Sequence, residues 1–169
     1  STICLHPSYQ SAEESGIIIN EKEKLEESAG LFITSSRQHY LRFHTPQTFR
    51  ALLKAGFQTD FSMVYADCAG FRAGTCQPFY WYDLNNECQT TLQMMPVIAM
   101  DRTYLDYEKK SLDDSITDLE RLMEWTIKYE GLVQIIWHNS SFDFKHEWHG
   151  WENYFEKLIS LIKKSNSLN

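Results

Sequence analysis

The sequence lacks any long uncharged apolar run, and none approaches the roughly 20 residues that a helix needs to cross a bilayer. Its N-terminus also lacks the basic, apolar and small-residue order of a signal peptide. Basic residues are in the minority, since 16 Lys and Arg stand against 23 Asp and Glu and leave a formal net charge of -7. Such a charge repels a phosphate backbone and argues against nucleic acid as a partner. We therefore expect a soluble chain, either cytoplasmic or associated with the cell envelope.

Cysteine is also scarce, with four residues that form neither a C-x-x-C pair nor a zinc-finger spacing: Cys4, Cys68, Cys76 and Cys88. We therefore expect reduced or core cysteines without a disulfide scaffold or a structural zinc site, and a bridge between Cys68 and Cys76 is the minor alternative. Apolar residues are plentiful, because 43% of the 169 residues are hydrophobic and 14% are aromatic. This content is enough for one substantial core and predicts a single domain over residues 1–169.

Four segments have the spacing of amphipathic helices, with capping residues at several of their ends. They span residues 16–29, 45–56, 111–131 and 151–162. Gly30 follows the first segment, Thr45 and Pro46 open the second, and Ser111 to Asp114 form an S-x-x-D capping box before the third. The pattern predicts a helix at each of these places.

Four runs predict strands, and they span residues 2–5, 31–34, 91–101 and 132–137. These runs are mostly apolar rather than half polar, which is typical of a parallel sheet covered by helices. Residues 57–91 are rich in Gly, Cys and aromatic residues without a sustained period, and they indicate short strands with long connections. The alternation of strands and helices predicts an α/β fold with a mostly parallel sheet.

Polar residues follow the predicted strands at the ends where parallel α/β folds bind their ligands. They are His6, then Arg37 and His39, then Asp101, then His138. Such imidazole, carboxylate and guanidinium groups serve as metal ligands, acid-base groups and anion contacts. A single histidine at a strand end is commonly structural, but four strand ends that agree favour a functional site.

Four segments together resemble a branch of the polysaccharide deacetylases, the metal-dependent carbohydrate esterases of the nodulation-factor deacetylase type. They are residues 5–9 (LHPSY), 36–43 (SRQHYLRF), 70–79 (GFRAGTCQPF) and 136–139 (IWHN), and the resemblance extends from residue 3 to about residue 155. It implies an incomplete or distorted (β/α) barrel in which one Asp and two His hold a divalent metal, commonly zinc. It also implies the removal of N-acetyl groups from glycans, because the metal activates a water for attack on the acetamide.

Position by position, the resemblance implies that His6 ligates the metal. The family has a second histidine four residues later, where this chain has Gln10, and His39 is the best substitute ligand, with a substrate contact as its alternative. Arg37 matches the arginine that orients the catalytic carboxylate. His138 matches the histidine that protonates the leaving amine.

The remaining implied positions are substrate contacts, namely Tyr40, Arg72, Asp101, Trp137 and Asn139. Arg72 has the alternative of repeating the role of Arg37. Asp101 has the alternative of capping the turn that follows it. The implied partner of all these residues is an N-acetylated glycan or oligosaccharide.

The chain departs from the family in one large respect. Members open with a strand that carries two aspartates, one a metal ligand and one the general base, and no residue before Thr2 supplies them. We therefore expect an N-terminally truncated barrel with impaired hydrolysis and a weakened metal site. An uncovered barrel edge also predicts self-association. The alternative hypothesis is a non-catalytic carbohydrate-binding or assembly module on the same fold.

Three further motifs have both a structural and a chemical interpretation. His146 and His149 flank Glu147 but lack the H-E-x-x-H spacing, which favours a solvated loop over a metal site. The aromatic run at residues 79–82 fits either sugar stacking or core packing. Cys76 would serve as a nucleophile only beside a base, and a small buried cysteine is the expected case.

Overall fold

Parallel pairing dominates the strands of the computed structural model, which describes residues 3–166. The chain is a mixed α/β protein, as predicted, and its contacts divide it into two units. The first unit contains the described residues of Ser1–Val64 and Gln77–Pro96, and the second contains those of Tyr65–Cys76 and Val97–Asn169. The single domain expected from the length stays a prediction.

The first unit has two helices and a four-stranded sheet. Its elements are α1 (Ser15–Ala29), β1 (Ser35–Ser36), α2 (Gln47–Lys54), β2 (Thr59–Asp60), β3 (Phe79–Asp83) and β4 (Cys88–Met94). The sheet order is β1-β2-β4-β3, in which β1, β2 and β4 run parallel and β3 and β4 form an antiparallel hairpin. Leu5 adds an isolated parallel bridge to Ser36.

The core of the first unit forms where α1 and α2 contribute apolar side chains to the same cluster as the sheet. Ile18, Phe49, Leu52 and Leu92 are among its fully buried members. Phe49 and Leu52 are three residues apart and share one face of α2, so a single stripe of the helix supplies both. Burial of each such side chain stabilises the fold by about 1.5–3 kcal/mol.

The second unit has a two-stranded parallel sheet and two long helices. Its elements are β5 (Ala99–Met100), α3 (Leu112–Lys128), β6 (Ile135–Ile136) and α4 (Trp151–Asn166), and a π-helical turn at Thr103–Tyr107 follows β5. Ile98, Leu119, Met123 and Leu158 belong to its buried core. This core draws on both helices and on the segment that contains β5, and therefore holds the short sheet between well-packed neighbours.

The predicted helices are confirmed, and so are the caps at Gly30 and Ser111, but the predicted Thr45 cap is wrong, because α2 begins at Gln47 with Pro46 as its N-cap residue. Gly30 adopts a left-handed backbone with φ 65° after α1, and its N–H donates to the carbonyl of Glu26. The Ser111 hydroxyl oxygen accepts a hydrogen bond from the Asp114 N–H at 3.1 Å, as the capping motif predicts. Local signals of this kind depend on few neighbours, which is why the sequence alone reveals them.

The predicted strands are too long or displaced. Residues 31–34 form no strand, since the hydrogen-bonded ladder begins only at Ser35. Phe32, within the predicted run, is 94% exposed. The run at 91–101 is interrupted between β4 and β5 around Pro96, which has no N–H to donate to a ladder. Within residues 132–137 only Ile135–Ile136 pairs, and of residues 2–5 only Leu5 forms a bridge, with Thr2 outside the described residues.

The structure decides the disulfide alternative and shows core packing on one face of the aromatic run. The four cysteines are free, so the bridge between Cys68 and Cys76 does not form. In the run at 79–82, Trp81 is a core residue, whereas Tyr80 and Tyr82 on the opposite face of β3 are exposed. Across residues 3–166 we find no helix with the length and apolar content that a membrane span requires.

Gly131 allows the end of α3 to approach the segment at Cys76. The left-handed residue after this helix is Glu130, with φ 54°, so Gly131 is not required for its backbone angles. A Cβ at Gly131 would lie 2.5 Å from Cys76 Sγ and 2.8 Å from the Cys76 carbonyl oxygen. The same carbonyl accepts a hydrogen bond from the Leu132 N–H at 3.1 Å, so it cannot move without weakening that bond.

Gly131→Ala should therefore lower the free energy of unfolding by about 1–3 kcal/mol, because the added methyl group forces a backbone shift. Urea denaturation followed by circular dichroism measures this change. The control is Gly16→Ala in α1, where a Cβ meets nothing within 4 Å, and which should leave stability unchanged or slightly higher. A Gly131→Ala variant as stable as the parent chain would contradict the close approach.

Candidate functional site

Asp101 and His138 lie at the carboxyl ends of the two parallel strands of the second unit. Met100 of β5 pairs with Ile136 of β6, so the residues that follow these positions emerge at the same edge of the sheet. Asp101 comes directly after β5, and His138 comes two residues after β6. The strand-end rule therefore located both residues, although it did not predict that they bind each other.

The Asp101 carboxylate holds the His138 ring and its backbone at the same time. Asp101 Oδ1 lies 2.6 Å from His138 Nδ1, and Asp101 Oδ2 accepts a hydrogen bond from the His138 N–H at 2.7 Å. The Arg102 N–H donates to Oδ1 at 2.8 Å, which also fits the turn-capping alternative. The Asp101 side chain is fully buried, whereas 44% of the His138 side chain is exposed.

The electrostatics of the pair set the tautomer of His138. Burial raises the pKa of Asp101, but hydrogen bonds from His138 and the proximity of Ser141 outweigh it, and the net pKa is lowered. An ionised carboxylate only accepts hydrogen bonds, so the proton between the two groups belongs to His138 Nδ1. The carboxylate occupies Nδ1, so Nε2 is the ring nitrogen that stays available on this 44% exposed side chain. A histidine held in this way can donate or accept a proton at Nε2.

The neighbours of His138 differ in how far they are engaged. Trp137 packs in an aromatic cluster, with its ring centroid 4.9 Å from Phe155 and 6.0 Å from Tyr154. Asn139 is exposed and begins the 3₁₀ turn Asn139–Phe142. Ser141 is fully buried, but its hydroxyl makes no hydrogen bond of acceptable geometry among the described residues. Trp137 thus serves core packing, and substrate contacts by Trp137 and Asn139 stay predictions.

Arg72 and Asp101 were expected to contact substrate, and this too stays a prediction. Arg72 is half-buried in the second unit, in the irregular segment before Cys76. Both Asp101 oxygens are occupied by protein N–H groups, so the structure gives this carboxylate an orienting contact that the sequence did not indicate.

His6 and His39 lie close together in the first unit, which is necessary if the two histidines are to bind one metal ion. Their ring centroids are 4.8 Å apart in an edge-to-face arrangement. His6 Nδ1 lies 2.7 Å from the backbone carbonyl oxygen of Arg37, which can only accept, so Nδ1 carries the proton. The same contact orients metal-binding histidines in many proteins.

These two imidazoles do not by themselves fit a zinc centre. Zinc in proteins takes three or four protein ligands. Within residues 3–166, no group of three His, Cys, Asp or Glu side chains is placed to hold a metal ion. The same finding covers His146 and His149, and Glu147 between them is paired with Arg102 at 2.8 Å. The expected zinc therefore remains a hypothesis that needs a further ligand.

Arg37 and Tyr40 flank His39 on the turn that follows β1. The Arg37 side chain is half-buried and close to Cys4, where its charge opposes the effect of burial, which raises the pKa of the Cys4 thiol to about 11. Tyr40 and Leu41 have left-handed backbones, with φ of 52° and 56°. Each such residue costs about 1–3 kcal/mol when it is not glycine, and strain of this kind concentrates at functional sites.

Asp60 is a functional candidate that the sequence did not indicate. It ends β2, is fully buried, and accepts hydrogen bonds from the Ser36 hydroxyl at 2.7 Å and the Ser62 N–H at 2.9 Å. Ser62 Oγ in turn accepts from the Gln38 N–H at 2.9 Å, at the start of the strained turn. The strand-end rule applies to Asp60 as it does to Asp101, but residues 57–91 show no period that reveals a strand there.

Burial is the main influence on Asp60 and raises its pKa, against the opposing effects of hydrogen bonds from Ser36 and Ser62 and of the nearby Gln38 side chain. The Gln38 amide is fully buried too, yet neither of its polar atoms makes a hydrogen bond of acceptable geometry among the described residues. Asp60 therefore links the ends of β1 and β2 and holds the turn that carries His39 and Tyr40.

Comparison of the chain with protein-family models, with characterised proteins and with solved structures found no significant match. The resemblance to polysaccharide deacetylases therefore stays a hypothesis drawn from the sequence motifs.

Asp60→Asn should change how stability depends on pH. The pKa of Asp60 in the folded chain lies above its unfolded value of about 3.9, so its contribution is fully present below that pH and is lost as pH rises through the folded pKa. The Asn variant lacks this loss and should gain on the parent chain as the pH rises above about 4. Urea denaturation across this range measures the difference. The exposed Asp67→Asn is the control, and parallel profiles for all three chains would contradict the prediction.

Proposed function

We propose that this chain belongs to a hydrolase of the polysaccharide deacetylase type, which removes N-acetyl groups from glycans with His138 as its proton donor. The buried Asp101 carboxylate bound to His138 Nδ1 at 2.6 Å is the observation that supports it best. The mixed α/β architecture with mostly parallel pairing is compatible with an incomplete or distorted barrel, which is part of the proposal.

The reaction adds water to the acetamide carbonyl and breaks its carbon–nitrogen bond, so that acetate and a free amine are released. The nitrogen leaves readily only if it receives a proton as the bond breaks. Protonated His138 provides this proton from Nε2, and Asp101 stabilises the imidazolium and keeps Nε2 directed away from the buried carboxylate. The neutral ring that remains recovers its proton from solvent through its exposed side.

The proposal also retains the features that the resemblance implies for the first unit. Arg37 takes the place of the arginine that orients the catalytic carboxylate in the family, and His6 and His39 are the imidazole candidates for a divalent metal, most readily zinc. We assign no step to this metal, because the two imidazoles need a further ligand. Impaired hydrolysis and self-association, which the sequence motifs predict, are kept as parts of the proposal.

A non-catalytic carbohydrate-binding module is the second candidate. The observation that favours it is the exposure of Tyr40, which is 70% exposed beside His39 although its backbone is strained. Binding requires neither a general base nor a metal, so such a module keeps its function where hydrolysis is impaired.

Acetate release from N-acetylated chito-oligosaccharides, with Zn²⁺ added, tests the two candidates. We expect slow release by the parent chain that His138→Ala lowers by about 100-fold or more, because general acid catalysis contributes about 10²–10⁴-fold. Asp101→Asn should also lower it, since the ring loses its ionised partner. His149→Ala is the control, because His149 is an exposed histidine of the same unit.

Equal release by the parent chain and His138→Ala would contradict the proposed role of His138. Binding of the oligosaccharide without acetate release by any variant would support the non-catalytic module instead. The absence of both oligosaccharide binding and acetate release would contradict both candidates. Zinc content in the same preparations tests the metal separately, since a stoichiometric ion lost in His6→Ala would show that the pair supplies part of its site.

A further inference from the structure

Four aromatic side chains and a guanidinium of the first unit form a continuous row on two chain segments. His6 meets His39 at 4.8 Å between ring centroids, His39 lies at 4.7 Å from Tyr40, and Tyr40 meets Tyr9 at 5.8 Å. The Arg42 guanidinium carbon then lies 4.0 Å from the centroid of the Tyr9 ring. We call Tyr9 and Tyr40, the two exposed tyrosines of this row, the tyrosine pair.

The tyrosine pair presents a large aromatic surface to solvent. Tyr40 is 70% exposed and Tyr9 is 49% exposed. His39 covers only one face of Tyr40, and an exposed fraction this large requires that much of the ring surface opposite His39 is open. The two tyrosine rings stand at 83°, so together they provide an open face and a wall beside it.

Both tyrosines are held in place from behind. His39 lies behind Tyr40, and Arg42 lies against Tyr9 while its Nη2 donates to Glu13 at 2.7 Å. Tyr40 combines a left-handed backbone, with φ 52°, with an exposed ring, although burial of the ring would cover apolar surface. Core packing therefore does not explain the position of Tyr40.

Polar groups lie beside the tyrosine pair. The side chains of Glu13 and His44 are 57% and 58% exposed, Glu13 bonds Arg42 at 2.7 Å, and His44 lies 3.4 Å from Glu13. A ligand for this surface needs an apolar face to stack on tyrosine and hydroxyl or amide groups at its edge. A hexose ring has this combination, with C–H groups on its faces and hydroxyl groups around it.

We propose that the tyrosine pair is a binding subsite for one sugar ring, which stacks on Tyr40 and contacts Tyr9 at its side. The choice of an N-acetylated sugar rests on the proposed function, whereas the stacking surface does not. A nucleobase would also stack on tyrosine, but the net charge of -7 opposes its phosphates. Glu13, which bonds the Arg42 guanidinium on the Tyr9 ring, and His44 beside it are the candidate partners for hydroxyl groups of the bound ring.

Binding of N-acetylated chitotetraose to the full chain, measured by NMR titration, tests this subsite. Tyr40→Ala and Tyr9→Ala should each raise Kd by about five- to tenfold, the effect of losing one ring contact. Tyr40→Phe keeps the stacking face and should stay within about twofold of the parent chain. Tyr107→Ala is the matched control, because Tyr107 is 52% exposed in the other unit. Unchanged spectra and urea midpoints show that each variant is folded.

Unchanged affinity in both alanine variants, or no binding by the parent chain at millimolar sugar, would overturn the subsite. A dimer of the parent chain that sedimentation no longer detects in Tyr40→Ala would also overturn the subsite, and it would identify the tyrosine pair as an interface between copies. The two proposals can fail separately, because the tyrosine variants are judged by sugar binding and the His138 variant is judged by acetate release. Loss of acetate release with retained binding thus bears on His138, and loss of binding in the tyrosine variants bears on the subsite.

Discussion

The hydrogen bonds between the buried Asp101 carboxylate and His138 are the constraint on which the candidate chemistry depends. A carboxylate without exposure to water needs donors for its oxygens, and here these are His138 Nδ1, the His138 N–H and the Arg102 N–H. The same bonds join the ends of β5 and β6, because each residue follows one of the paired strands. Fold and site therefore share one interaction, and a change that exposes or removes the carboxylate affects both.

The first unit uses a related arrangement with a different result. Asp60 is buried at the end of β2 and accepts its hydrogen bonds from the uncharged Ser36 and Ser62, so burial dominates and raises the pKa of Asp60. At Asp101, by contrast, the hydrogen bonds from His138 help to lower the pKa of the carboxyl group. Through Ser62, Asp60 also holds Gln38 at the start of the turn that bears His39 and Tyr40. This support explains how two left-handed residues persist next to each other. The row of rings from His6 to Tyr9 is the surface that the turn presents.

The sequence predicted the helices and the strand-end residues well, and the strand lengths and contacts poorly. Helix signals such as Gly30 after α1 and Ser111 before α3 act over one turn and need no distant partner. A strand exists only where another segment pairs with it, so an apolar run such as 31–34 did not show that the ladder lies at Ser35–Ser36. Asp60 was missed for the same reason, and the bond between Asp101 and His138 requires knowledge of which strands are neighbours.

The protonation state of the His138 ring tests this account most directly. Nitrogen NMR of the chain with labelled histidine distinguishes a neutral ring with its proton on Nδ1 from one with its proton on Nε2. We predict the Nδ1–H form for the neutral His138 ring, and a shift towards the Nε2–H form in Asp101→Asn. An Nε2–H ring in the parent chain, or the same tautomer ratio in both chains, would contradict the claim that Asp101 orients His138 for proton transfer.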